Sequence, residues 1–354
     1  MRALVAALVV LAFPAAAPAS TVSVFQADGC AGDLACSKYS GAPPVPVTTF
    51  QGAPGEANRV TIARSGGDFL VRDDGATLTA VAPCTSVDAH NARCPVTEGS
   101  QGVRGLAADL GDGDDQLAIA DDPVVETSIL AGPGEDLVQG GEGNDRITGG
   151  PGDDRLLGGG GFDELLYVTE ADVVVDLARG TGGEAGEADT LAGFETLVGG
   201  GGDDVLTGAR TADIIDGGEG ADVLRGGGGA DRLFGGVGAD ALLGQAGDDE
   251  LFGDPGQGDG YYTPIIRLRP DRLVGGRGDD KLYDTGGANT YVGGPGRDFL
   301  EGGSGRDTID AGPGRDRVSA QAGRRDAVRC GSGLDRARLD ARDAARGCER
   351  ITRR

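Results

Sequence analysis

An all-β solenoid is the fold this sequence predicts, and three observations predict it. An acid or its amide recurs at every ninth residue through most of the chain. It runs Asp136, Asp145, Asp154, Asp163, then Asp204, Asp213, Asp222, Asp231, Asp240, Asp249, then Asp271, Asp280, Asn289, Asp298, Asp307, Asp316. Glycines crowd the five positions before most of these acids. An apolar side chain follows two residues after it, as in Ile147, Leu156, Leu206, Leu224, Leu282 and Ile309. The unit is Gly-Gly-x-Gly-x-Asp-x-apolar-x, and a fixed short period of this kind marks stacked coils that each bury one face against the next. Ten acids have the full glycine context, whereas chance in a chain with 68 Gly and 57 acids gives fewer than about one.

Each part of the unit has a physical task. Glycine has no Cβ, takes positive φ and lets two backbones approach closely, as a repeated tight turn requires. The turn points carbonyl oxygens towards a common centre, and the aspartate that ends it adds the charge that carbonyls lack. Carboxylates with backbone carbonyls are the ligand set of a hard divalent cation such as Ca2+. The residues after the acid, such as Asp145-Arg146-Ile147-Thr148, alternate and read as a short strand with its apolar side chain inward.

Over roughly residues 110–320 the motif resembles the RTX, or haemolysin-type, calcium-binding repeat family. The resemblance implies a right-handed parallel β-roll with two nonapeptides per turn and stacked neighbours eighteen residues apart. It implies multiple Ca2+ ions held by Asp136, Asp145, Asp154, Asp163, Asp204, Asp222, Asp231, Asp240, Asp249, Asp280, Asp298, Asp307 and Asp316. One ion is expected between the loops ending at Asp136 and Asp154, and another between those ending at Asp145 and Asp163. Three loops depart from the pattern. The loop before Asp213 lacks two glycines, that before Asp271 has none, and Asn289 carries no charge. Weak or empty sites are expected there.

In chain order, residues 1–19 read as a secretory signal peptide, with one basic residue, an apolar run from Ala3 to Phe13 and an Ala-Pro-Ala end. The run is too short to span a bilayer, so no membrane span is expected. Residues 20–108 read as a β-rich N-terminal cap, with a hairpin over Val60–Ala63 and Phe69–Arg72. A first repeat block covers 109–166, opening on the degenerate Gly111-Asp112-Gly113-Asp114-Asp115. Spacer coils follow over 167–198, a second block over 199–252, an inserted loop with Tyr261-Tyr262 over 253–270, and a third block over 271–320. Residues 321–354 form an Arg-rich C-terminal cap, in which ten Arg face five acids from Arg324 onward. Six cysteines in an exported chain favour disulfides, the simplest pairing being Cys30–Cys36, Cys84–Cys94 and Cys330–Cys348.

Composition bounds the function. A net charge of −25, aromatics at 4% and no Trp leave a thin core in a self-repelling chain, so folding is expected only when calcium binds. His90 is the single histidine and reads as a surface residue; the chain has neither a His-Glu-x-x-His nor a Gly-x-Ser-x-Gly motif. The expected protein is not an enzyme but a secreted, extracellular, monomeric calcium binder with a structural, adhesive or cell-surface role. Cell-surface or matrix polysaccharide is its expected partner, and nucleic acid is not. The alternative is a carbohydrate-active enzyme, a lyase or glycosidase, on the same calcium-stabilised roll, marked by paired carboxylates off the nonapeptide register.

Overall fold

The structure, a computed structural model, describes residues 20–27, 45–65, 68–81, 84–95, 105–120, 126–253, 269–320 and 324–353. The expected signal peptide, Cys30, Cys36 and the Tyr261-Tyr262 loop lie outside the described residues. Those described are all-β and contain no helix, in two compact units, Met1–Asp163 and Glu164–Arg354.

In the second unit the alternation after each acid makes one short strand per nonapeptide, and successive strands fall on two opposed parallel sheets. Thr196–Gly200, Ile214–Glu219, Arg232–Val237, Glu250–Phe252, Lys281–Tyr283, Phe299–Glu301, Arg317–Ala320, Arg336–Leu339 and Arg350–Arg353 stack in one sheet. Val174–Asp176, Val205–Thr207, Val223–Gly228, Ala241–Ala246, Arg272–Arg277, Thr290–Val292, Thr308–Asp310, Ala327–Arg329 and Ala344–Arg346 stack in the other. The register places Leu206 beside Leu224 and Ile215 beside Leu233, so neighbours in a stack are two nonapeptides apart. Between the sheets lie Leu197, Ile215, Leu233, Leu251, Leu282 and Leu300 from one side. Leu206, Leu224, Leu242, Leu273, Tyr291 and Ile309 come from the other, and all are buried. The Arg-rich C-terminal cap is itself built of coils on this plan, and Cys330–Cys348 closes it.

The first unit follows the same logic with fewer regular repeats. Val45–Gln51, Gly105–Asp109, Glu126–Leu130 and Asp145–Thr148 stack in parallel, as do Arg59–Ser65, Gln116–Ile119, Leu137–Gly141 and Arg155–Gly159. Ser20–Ala27 adds antiparallel to Val45–Gln51. The hairpin expected from Ser65-Gly66-Gly67-Asp68 is present, Arg59–Ser65 running antiparallel to Asp68–Asp73. Asn91–Pro95 extends it, pinned by the Cys84–Cys94 disulfide.

On the outer face of the second unit Phe234, Phe252 and Tyr283 stack with ring centroids 5.0 and 5.3 Å apart, and Phe299 tilts against the last. Arg232 lies 5.2 Å over the Phe234 ring and is also paired with Glu250, which contacts Lys281. The rings cover one another's faces, so this ladder stabilises neighbouring strands rather than presenting a platform.

The glycines of one turn serve different ends. A methyl group on Gly217 would collide with the Asp222 carboxylate, one on Gly218 (φ +99°) with the Gly200 carbonyl, and one on Gly220 (φ +135°) with the Gly202 carbonyl. The second turn position is Gln245 in the coil before Asp249, and there φ is 78°, a left-handed conformation that costs a side-chain-bearing residue about 1–2 kcal/mol. Replacing it should relieve that strain. Gln245→Gly is expected to raise the stability of the calcium-loaded protein by about 1 kcal/mol, read as a higher Tm by calorimetry; a lower Tm would contradict the strain.

Candidate metal centres

Parallel stacking brings the repeat acids into columns, because every turn ends at the same height on the coil below. In the second unit one column holds Asp204, Asp222, Asp240, Asp271, Asn289, Asp307 and Asp326. The other holds Asp213, Asp231, Asp249, Asp280, Asp298, Asp316 and Asp335. Within a column the backbone N–H of each acid donates to Oδ1 of the next. Asp204 donates to Asp222 at 2.8 Å, Asp222 to Asp240 at 2.9 Å and Asp231 to Asp249 at 2.9 Å, each across eighteen residues. The ladder steps over both interruptions: Val173 donates to Asp204 and Asp240 to Asp271, each across 31 residues. In the first unit Asp115 donates to Asp136, Asp136 to Asp154 and Asp145 to Asp163. The eighteen-residue pairings of Asp136 with Asp154 and of Asp145 with Asp163 are therefore present as contacts.

The ladder uses one carboxylate oxygen and leaves the other. Oδ2 has no hydrogen-bond partner in Asp136, Asp145, Asp204, Asp222, Asp231, Asp240, Asp249, Asp280, Asp298, Asp307 or Asp316, and each of these residues is buried, as are Asp154 and Asp163. A buried carboxylate oxygen without a partner costs several kcal/mol. Its neighbour makes matters worse. The point that a Gly217 methyl would occupy lies beside Asp222 Oδ2 and 2.7 Å from the Gly235 carbonyl of the next coil. The same arrangement holds at Gly199 with Asp204 and the Gly217 carbonyl, at Gly226 with Asp231 and the Gly244 carbonyl, and at Gly244 with Asp249 and the Gly275 carbonyl. At these four coils the orphaned Oδ2 and a carbonyl of the next coil flank the same point. Only a proton or a cation resolves such a contact, and an oxygen-only set of carboxylate and carbonyls suits calcium. Among the described residues no three Asp, Glu, His or Cys side chains converge, so backbone oxygens or water would complete a coordination sphere.

Burial accordingly pushes these carboxyls above the ordinary range. Asp136, Asp145, Asp204 and Asp316 rise to about 6, Asp231, Asp240, Asp280 and Asp298 to about 7, and Asp222 to about 8. Desolvation is the main cause at each, opposed by the ladder hydrogen bond.

The three irregular loops behave differently from one another. Asp213 Oδ2 accepts the Ala209 N–H at 2.6 Å, so its turn satisfies itself. Asn289 also needs no ion, because its Nδ2 donates to the Gly286 carbonyl at 2.8 Å. Asp271 Oδ2 is buried without a donor, as in the regular coils. Sequence reasoning also passed over Asp115, Asp326 and Asp335, which have the same orphaned oxygen. Cys330-Gly331-Ser332-Gly333-Leu334-Asp335 retains the turn with Cys for the first glycine, which is a signal that could have found it. A second acid row runs outside the first: Asp203 Oδ1 accepts the Ala221 N–H and Asp248 Oδ1 the Asp279 N–H.

The RTX calcium-binding nonapeptide repeat, in four-copy units, matches residues 130–165, 189–224, 225–258, 269–300 and 292–324. The chain carries RTX calcium-binding repeats. Its RTX coils bind calcium at multiple sites, and the matched segments contain every regular turn described above. No curated protein matches the chain.

The raised carboxyl pKa values set a pH dependence. A folded, metal-free RTX coil holds more protons than the unfolded chain between about pH 4 and pH 8, so this contribution is complete below about pH 4 and is lost as the pH rises through 6–8. Circular dichroism of metal-stripped protein should therefore show β structure increasing from pH 8 to pH 5. Protons also compete with the ion, so apparent calcium affinity should fall roughly tenfold or more between pH 8 and pH 6. Equal affinity at the two pH values would contradict the burial of these groups.

Proposed function

We propose that this protein is secreted, folds when its repeats bind calcium outside the cell, and serves a structural or adhesive role at a cell surface or matrix. The observation that carries the proposal is the run of buried Oδ2 atoms without a donor, several of them close to a carbonyl of the next coil. A chain in that state is poorly stable without metal and compact with it, and extracellular modules bind calcium at roughly 10⁻⁴–10⁻³ M. Export would then bring the unfolded chain to the ion that folds it. The ligands in this reading are the thirteen aspartates named from the sequence, with backbone carbonyls from the same turns.

Supporting secretion are the Cys84–Cys94 and Cys330–Cys348 disulfides, since such bonds persist in oxidising compartments. No helix among the described residues is long and apolar enough to cross a membrane. An adhesive role draws support from the basic end of the second unit. There Arg317, Arg336 and Arg350 lie side by side on neighbouring strands, with Arg338 next to them, all exposed. Like charges set opposite one another repel, and this chain has a large excess of acids that could have paired them. An anionic polysaccharide would relieve that repulsion through charge-assisted contacts.

A non-enzymatic role fits the surroundings of His90, whose Nδ1 lies 2.8 Å from the Ala76 carbonyl and 3.0 Å from that of Asp73. The imidazole braces its own loop. The off-register acid pair formed by Asp271 and Asp284 is buried, which leaves a polysaccharide no route to it.

Native mass spectrometry and circular dichroism on one preparation test the reading. Several calcium ions per chain, with β structure gained as they bind, are expected; full β structure in EDTA would contradict it. For the adhesive role, calcium-loaded protein should be retained on a sulfated-polysaccharide matrix and eluted by salt. Arg336→Glu with Arg350→Glu should abolish retention, and wild-type protein passing straight through would remove this part of the proposal.

A further inference from the structure

Asp284 stands where the repeat has its first glycine: Asp284-Thr285-Gly286-Gly287-Ala288-Asn289 replaces Gly-Gly-x-Gly-x-Asp. The charge missing at Asn289 has moved five residues forward. In a regular coil the orphaned Asp Oδ2 faces the carbonyl of the first residue of the next coil's turn. Here that first residue carries a carboxylate, and the carboxylate takes the place of the carbonyl. The point that a methyl group on Gly253 would occupy lies beside Asp284 Oδ2 and 2.7 Å from Asp271 Oδ2. The two carboxyl groups are within hydrogen-bonding reach of each other.

Their remaining oxygens are already committed. Asp271 Oδ1 accepts the Asp240 N–H at 2.8 Å, and Asp284 Oδ1 accepts the Gly286 N–H at 2.8 Å. Both residues are buried, at 3% and 6% exposure, and Asp271 Oδ2 has no donor. The surroundings are polar for a core. Tyr291 occupies the place held elsewhere by Leu, Ile or Val, and its Oη lies 3.5 Å from Asn289 Nδ2 and within the electrostatic reach of Asp284.

We propose that Asp271 and Asp284 hold a divalent cation between them, at a site outside the nonapeptide register and with two carboxylates where a regular coil offers one. Two buried carboxylates in contact need a positive charge between them, and a divalent ion neutralises both. The doubled ligand charge makes this the tightest site of the stack, since affinity in oxygen-ligand sites rises with the number of charged ligands. Both ligands follow residues 254–268 in the chain, and Asp284 stacks on the coil of Gly253. The inference goes beyond calcium binding by the repeats, because Asp284 belongs to no regular turn.

The chain has no Trp, which makes terbium a direct probe: Tb3+ near a buried tyrosine emits when the tyrosine is excited. In metal-stripped full-length protein, the first equivalent of Tb3+ should give sensitised emission through Tyr291. Asp284→Asn, which keeps the side-chain shape, should abolish that early phase and lower the calcium count by one in native mass spectrometry. Asp284→Gly restores the regular turn and should give the same loss of the early phase in a chain that still folds with calcium. Tyr291→Phe should remove the emission without changing the calcium count. An Asp284→Asn protein with the wild-type count and the wild-type first phase would overturn the proposal, because the pair would then share a proton. Wild-type protein that binds neither metal would instead sink the calcium reading as a whole.

Discussion

A carboxylate oxygen buried against another acceptor is the constraint on which this molecule turns. It recurs through the regular nonapeptides because a single geometry is copied along the stack. A regular acid spends one oxygen on the backbone N–H of a neighbouring coil and leaves the other buried without a donor, in several coils close to a carbonyl. The first oxygen sets the register of the columns. The second is a buried acceptor that a cation satisfies. Fold and ligand are thereby joined in one side chain, which is why so weak a core suffices.

The core is weak in a definite sense. Each coil buries one Leu, Ile, Val or Tyr per sheet, while every nonapeptide orders a glycine-rich turn whose unfolded chain is unusually free. Apolar burial sets which face is inside but does not offset that entropy by itself. Backbone hydrogen bonds, aromatic stacking from Phe234 to Phe299 and the disulfides at Cys84–Cys94 and Cys330–Cys348 contribute locally. Divalent ions act on every regular turn at once.

Much of this was legible in the sequence because each role in the repeat admits few residue types. Only glycine fits at Gly218 and Gly220, only a short acid reaches the neighbouring N–H from Asp222, and only an apolar side chain suits Leu224. Period nine and the pairing of neighbours followed from them. What escaped was whatever broke the period or exchanged the roles. Asp326 follows Asp316 by ten residues instead of nine, and Cys330 hides the turn that ends at Asp335. Asp284 occupies a glycine position, so a search for acids in register passes over it. In the first unit, Val45–Gln51 stacks on Gly105–Asp109 across more than fifty residues, and no local pattern announces such a pairing.

Amide hydrogen exchange over residues 199–252, followed by mass spectrometry with and without calcium, tests the central claim most directly. The ladder N–H groups of Asp204, Asp213, Asp222, Asp231 and Asp240 lie in this stretch, and none can be protected unless the coils are stacked. The account predicts strong protection with millimolar calcium and exchange near the unfolded rate after chelation at pH 8. Equal protection in both conditions would contradict it, since the columns would then stand without the ion.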